Sequence, residues 1–260
     1  MDGAFQQFDS FLKNLGKNLS RSRDDLASIG NAGGNVPVKY PDVEKKNDEL
    51  LKTMFKVAEE GGWQEIRRTG SIVIWRKRLS SDVSFGGGDA GRAQKFFVVM
   101  AKARIKAPAR KLFDLFLDNS RVPEYNEHCK ELKDLEYIGK NTKISWAATG
   151  RFGGGLLKAR DFVTRVHYRP MQSGYVVVNR PEVHEDAKPT NKFVRAEVLL
   201  AGNVMMQAED DPESTDFMVL SHVNPGGIAD TSLGSKVINL LCANSPVTFI
   251  NSLEAAANRK

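Results

Sequence analysis

The sequence predicts an α+β domain: nine strands in one antiparallel sheet, with helices before, within and after it. Three observations carry this. Segments with period-2 alternation or short apolar runs recur nine times along the chain. Most follow one another through short loops, which makes neighbours antiparallel. Helical periodicity is confined to a stretch before the first strand, one after the third, and the chain's end.

The elements follow in order. Asp42 is a candidate N-cap for a helix whose stripe is Val43, Leu50, Leu51, Met54, Phe55 and Ala58, ended by Gly61 and Gly62. Strands are expected near Trp63–Arg68 and Ser71–Arg78, then a loose hairpin loop, SSDVSFGGGDAGRA. Gly86, Gly88 and Gly91 match G-x-G-x-x-G, but the loop leads into a strand, about Lys95 to Lys106, and not into a helix. A nucleotide site is therefore not expected. Pro108 opens a helix with Ala109, Leu112, Phe113, Leu115 and Phe116 on its apolar side, followed by a turn at RVPEYNEH. Six further strands are expected at about 132–138, 142–148, 161–169, 174–180, 193–206 and 215–223. A long helix from about Ser232 to Asn258 closes the chain, with Leu233, Val237, Leu240, Leu241, Ile250 and Leu253 on one side and a kink at Pro246. A curved sheet gripping such a helix can leave a cavity between the two.

Composition narrows the class. Hydrophobic residues are 41% and charged residues 27%, the balance of a soluble globular protein. The chain has no apolar run long enough to span a bilayer and no apolar signal core, so a cytosolic location is expected. Cys129 and Cys242 fit no metal spacing. The net charge of +6 permits contact with an anionic membrane surface. Arg67, Arg68, Arg76, Lys77 and Arg78 form one basic group, and Lys102, Arg104 and Lys106 another. Neither sits on a recognition helix or stacking motif, so nucleic acid is not an expected partner. Residues 1–40 read as a flexible segment in which Phe5, Phe8, Leu12, Leu15 and Leu19 have helical spacing; they could meet a membrane, a partner or their own domain. Residues 41–260 read as the domain.

Catalytic and metal signatures are missing. His128, His167, His184 and His222 have no ligand spacing, GRFGGGLL lacks the G-K-[ST] of a phosphate loop, and the carboxylate pairs Glu59–Glu60 and Asp210–Asp211 lie in loops. No catalytic residue, metal or cofactor is expected.

In KARDFVTRVHYRP, Phe162, Thr164, Val166 and Tyr168 share one face of an extended chain, and Asp161, Val163, Arg165, His167 and Arg169 the other. Five segments in order then resemble the START (StAR-related lipid transfer) family, from about 43 to 258: LDNSRVPEYN, ARDFV, VHEDAKPTNKFVRAE, SHVNPGGIADTSL and NSPVTFINSL. The resemblance implies a helix-grip fold, a curved nine-stranded antiparallel sheet wrapped around the C-terminal helix, with an internal hydrophobic tunnel that holds one lipid. It places Phe162, Thr164 and Val166 in the tunnel and Arg165, His167 and Arg169 in water. Its lid would be the last helix, from Leu233 through Val237 and Leu241. Phe152, Leu156 and Leu157, in the glycine-rich loop 150–157, would touch a bilayer.

The phosphatidylcholine-carrier pattern would make Trp146 and Phe162 two aromatic walls, with Leu199 at a third aromatic position. Tyr125-Asn126 stands where that pattern has Trp-Asp, with Arg121 near it. Sterol carriers have a buried acid and an arginine in the tunnel; Val166 stands at the arginine's position, and Ala147 or Ala148 falls near the acid's. Val198, Leu220 and His222 complete the expected lining. Trp146 reads equally as a core aromatic. Arg195 reads as a structural residue or a phosphate contact, and Arg160–Asp161 as an ion pair at the sheet edge. The expected function is binding of one phospholipid or sterol by a monomer, with transfer between membranes. The alternatives are a helix-grip cyclase or hydrolase using Tyr125, His222 or Arg195, and a lipid-gated interaction module.

Overall fold

The computed structural model describes residues 39–79, 95–151, 158–227 and 245–259. The N-terminal segment up to residue 38, the glycine-rich stretches 80–94 and 152–157, and the first part of the expected long helix lie outside these residues. The ordered elements are α1 (Val43–Glu59), β1 (Gln64–Thr69), β2 (Ile72–Lys77), β3 (Val98–Ile105), α2 (Ala109–Leu117), a 3-10 turn at Asn119–Arg121, α3 (Val122–Tyr125), β4 (Cys129–Gly139), β5 (Thr142–Thr149), β6 (Arg160–Met171), β7 (Gly174–Pro181), β8 (Val194–Arg195), β9 (Glu197–Gln207), β10 (Thr215–Asn224) and α4 (Ser245–Ala257).

Nine strands run in the order β1-β2-β3-β10-β9-β7-β6-β5-β4, each antiparallel to its neighbours. The expected strand 193–206 is two strands. Residues Val194–Arg195 pair parallel with β6, and the chain then crosses at Ala196 to begin β9. The Arg195 guanidinium holds the short piece in place, gripping Asp161 of β6 with Nε–Oδ1 at 3.0 Å and Nη2–Oδ2 at 2.9 Å.

The two faces of the sheet have different covers. On the outer face, Val98, Met100, Val176, Val178, Leu200, Val204, Met206, Met218 and Leu220 pack beneath Leu50, Leu51, Met54, Phe55, Val57 and Ala58 of α1. Each such aliphatic side chain contributes about 1.5–3 kcal/mol when fully buried. Asp42 stands at the N-cap of α1, but its side chain makes no capping hydrogen bond. At the other end, Lys77 Nζ donates to the Val57 carbonyl at 2.6 Å and the Glu60 carbonyl at 3.3 Å, a cation on the negative end of the helix. On the inner face, α2, α3 and α4 cluster with Ile74, Ala101, Ala103, Tyr168, Val177, Met205 and Phe217.

This arrangement corrects the expected exposure of β6. Arg165 and His167 are each only 3% exposed: α1 lies over His167, and Arg165 lies 3.9 Å from Glu182. Asn47 of α1 donates from Nδ2 to Thr142 Oγ1 at 2.9 Å and lies 3.2 Å from His167 Nδ1. Arg169 reaches Asp48 of the same helix at 2.6 Å. The charged alternation in the sequence thus marks a helix-docking seam and not a wet face. Burial, with the Arg169 and Arg165 charges added to it, pushes the His167 imidazole down to about 3.

Two expectations follow. His167 stays neutral in the fold but gains a proton in the unfolded chain, so stability should fall as pH drops from about 6.5 toward 3. That slope is about 1.4 kcal/mol per pH unit, and His167→Gln should remove it from urea-unfolding curves taken at pH 7, 6 and 5. Gly202 faces α1 so closely that a Cβ there would overlap Met54 Sδ, and Met54 is fully buried. Gly202→Val should cost about 1–3 kcal/mol through overpacking, read as a lower denaturation midpoint.

Candidate functional site

Strand register assembles the inner face row by row, because directly paired residues project to the same side. One row reads Ile74, Ala101, Val219, Asn203, Val177 and Tyr168 from β2 to β6. The next reads Arg76, Val99, Ser221, Ala201, Asn179, Val166 and Lys143 from β2 to β5. In these rows Val99, Val166, Asn179, Ala201, Val219 and Ser221 are half-buried, whereas the outer-face residues between them are buried. Among the described residues, the inner face is therefore closed by α2–α4 at one end and only half-buried alongside.

Its closed end is aromatic. Phe113 stacks on Tyr175 with ring centroids 4.3 Å apart, and Phe249 of α4 sits 6.4 Å from Phe217 and 6.0 Å from Tyr125. Its β4–β5 flank carries an ion pair between the buried Lys143 and the half-buried Asp134. Lys143 Nζ donates to Asp134 Oδ2 at 2.9 Å and to Asn119 Oδ1 at 3.0 Å, and lies 5.6 Å from the centroid of the Tyr168 ring. Ser145 Oγ donates to Asp134 Oδ1 at 2.8 Å. Burial raises the Asp134 pKa, but hydrogen bonds from Lys143, Asn119 and Ser145 outweigh it and hold the carboxyl below its ordinary value. In the middle of the face, Asn179 Oδ1 and Asn203 Oδ1 have no hydrogen-bond partner. A buried orphan acceptor of this kind costs about 1–3 kcal/mol.

The expected lining residues divide between the faces. Phe162, Thr164 and Val166 lie on the inner one, with Val198 beside them opposite Val223. Leu199 is the extra residue where the β9–β10 register shifts. Trp146 pairs with Val163 on the outer face, where its Nε1 donates to Asp161 Oδ2 at 3.0 Å and its ring meets Phe193 edge-on. It is a packing aromatic there and no wall of the inner hollow. Leu220 and His222 are also buried on the outer side, Leu220 under α1. Arg195 is spent on Asp161, so the partner of Asp161 is Arg195 and not Arg160, which donates to the Pro225 carbonyl. Burial raises the Asp161 pKa, but hydrogen bonds from Arg195 and Trp146 bring it below its usual value.

Tyr125 is buried between Phe116 and Phe249, its hydroxyl donates to the Leu115 carbonyl, and burial pushes its pKa well up. Asn126 follows it, half-buried, at the end of α3. Arg121 grips Glu124 and donates to the Ala256 carbonyl at 2.9 Å, tying α3 to the end of α4. Tyr125, His222 and Arg195 thus share no common site. Phe152, Leu156, Leu157, Leu233, Val237 and Leu241 lie outside the described residues. Sequence reading missed Val99, Val219, Asn179, Asn203 and the Lys143–Asp134 pair. Period 2 could have found them only with the strand order in hand, since β10 inserts between β3 and β9.

A sheet with one helix-covered face and one hollow, helix-capped face defines a helix-grip domain. The START domain family model matches residues 44–259, and the chain belongs to that family. It is 27% identical over 212 residues to "Steroidogenic acute regulatory protein, mitochondrial" of Danio rerio, covering 81% of this chain and 69% of that protein. The same protein of Bos taurus is 25% identical over 213 residues, with the same coverage. Among solved structures, human StAR-related lipid transfer protein 5 superposes with a TM-score of 0.70 at 15% identity, covering 83% of this chain and 95% of that one. Human STARD10 gives 0.67 at 18% identity, covering 81% and 79%. Among the described residues, no helix is long and apolar enough to cross a membrane.

The ion pair yields a stability test. Lys143→Met leaves the half-buried Asp134 without its cation and should cost about 1–3 kcal/mol. Lys143→Met with Asp134→Leu should recover most of that, measured as a double-mutant cycle in urea.

Proposed function

We propose that this protein binds one lipid molecule against the inner face of its sheet and carries it between membranes as a soluble, cytosolic monomer. The observation that supports this best is the set of half-buried residues Val99, Ala201, Val166 and Val219 in two adjacent rows of a sheet whose other face packs under α1. An apolar surface kept open beside a packed core has a use for an apolar guest. Family membership points the same way, as do the names of its relatives. The magnitudes fit a carrier: each methylene moved out of water contributes about 0.8 kcal/mol, so a lipid tail stays bound until the protein reaches another membrane. Phe162, Thr164, Val166 and Val198 are the proposed wall residues from the sequence, joined by Val99 and Val219. Phe152, Leu156 and Leu157 are the proposed membrane contact, and Leu233, Val237 and Leu241 the proposed lid.

The test is to fill the hollow. Val219→Trp should leave the circular dichroism spectrum unchanged and cut lipid uptake from vesicles by about tenfold or more, since an indole would occupy the guest's space. Undiminished uptake by a folded Val219→Trp protein would place the lipid elsewhere.

A further inference from the structure

Arg165 of β6 is 3% exposed, and its Nε and Nη2 have no hydrogen-bond partner. Glu182 Oε2 lies 3.9 Å from the third nitrogen, Nη1, beyond hydrogen-bond reach. Directly across the sheet stand Ile144 on β5 and Arg180, a second cation, on β7. On the same face of β6, Val163 is apolar and burial keeps His167 neutral. A guanidinium cannot relieve its burial by losing a proton, so it calls for an anion.

Four other arginines show what the Nε–Nη2 edge does in this protein. Arg68, Arg104, Arg121 and Arg195 each turn that edge toward the two oxygens of one carboxylate, those of Glu65, Asp216, Glu124 and Asp161. Two parallel N–H donors match such a planar pair of oxygens. The side chains of those four are 24–45% exposed, and that of Arg165 is 4% exposed. The most deeply buried of the five is thus the one whose edge meets no carboxylate of the protein.

We propose that Arg165 anchors a site for a small, freely diffusing oxyanion on the outer side of the sheet, and that a carboxylate or phosphate group lies bidentate on its Nε and Nη2. Arg180 adds attraction from the neighbouring strand. Glu182, with its side chain 31% exposed, is the carboxylate with which the guest competes. At 3% exposure the site takes a small solute and not the surface of a macromolecule. It lies on the opposite side of β6 from Phe162, Thr164 and Val166. A lipid on the inner face therefore cannot supply the anion, and the inference does not depend on the carrier reading.

The experiment titrates inorganic phosphate, or acetate, into the full chain at pH 7, with sodium chloride keeping the ionic strength constant, and follows Tm. A ligand held only by the folded state raises Tm, and the rise gives an apparent Kd. At least one of the two oxyanions should raise Tm above the chloride blank. Arg165→Gln should weaken that binding by about tenfold or more. Arg165→Lys keeps the charge but not the fork, and should lose the preference for the oxyanion over chloride. Glu182→Gln removes a competing negative charge and should tighten binding by about threefold. If Arg165→Gln fails to fold, the Lys and Glu182 variants carry the test. No rise with either oxyanion would overturn the inference, as would a rise left intact by both Arg165 variants. So would a Glu182→Gln protein that loses Tm and binds no oxyanion, since Glu182 would then be the guanidinium's own partner.

Discussion

The docking of α1 across the outer face of the sheet is the contact on which the rest of the molecule depends. A strand sends alternate side chains to opposite sides, so a sheet of nine strands has two faces to satisfy. α1 satisfies one of them with a continuous apolar stripe, held by Lys77 at its end and by the Asn47–Thr142–His167 contacts beneath it. Among the described residues, the inner face is less fully buried than this one.

The inner face grades from aromatic to polar. At the α2–α4 end, Phe113, Tyr175, Phe217 and Phe249 fill the space between helices and sheet. Asn179 and Asn203 lie in the middle of the face, and Ser145 and the Lys143–Asp134 pair line its β4–β5 flank. An amphipathic guest of the kind proposed would find matching surroundings in one orientation. Arg121 and Glu124 fix the end of α4 to α3, so the helix that caps the hollow is anchored at its C-terminal end.

Much of the fold was legible in the sequence, because period 2 and period 3.6 report local geometry that tertiary packing did not override. Each expected strand has a counterpart, and only 193–206 had to be divided, where Arg195 is drawn to Asp161. The residues on the inner face of the sheet were legible by half. Phe162, Thr164 and Val166 could be assigned to one face from β6 alone. Trp146, Leu220 and His222 could not, since which side of a strand faces inward depends on its neighbours' register. Arg165 and His167 misled for another reason: charge along a strand usually marks water, and here a polar seam with α1 covers it. Asn179 and Asn203 carry no signal by themselves and acquire meaning only as unmatched acceptors on adjacent strands.

The measurement that bears most directly on this account is native mass spectrometry of the purified protein, followed by organic extraction of whatever co-purifies. The account predicts a single lipid bound at one per chain, lost on organic denaturation and displaced by the bulk of Val219→Trp. A protein that is empty as isolated, and stays empty after incubation with vesicles of mixed sterol, diacylglycerol and phospholipid, would contradict it.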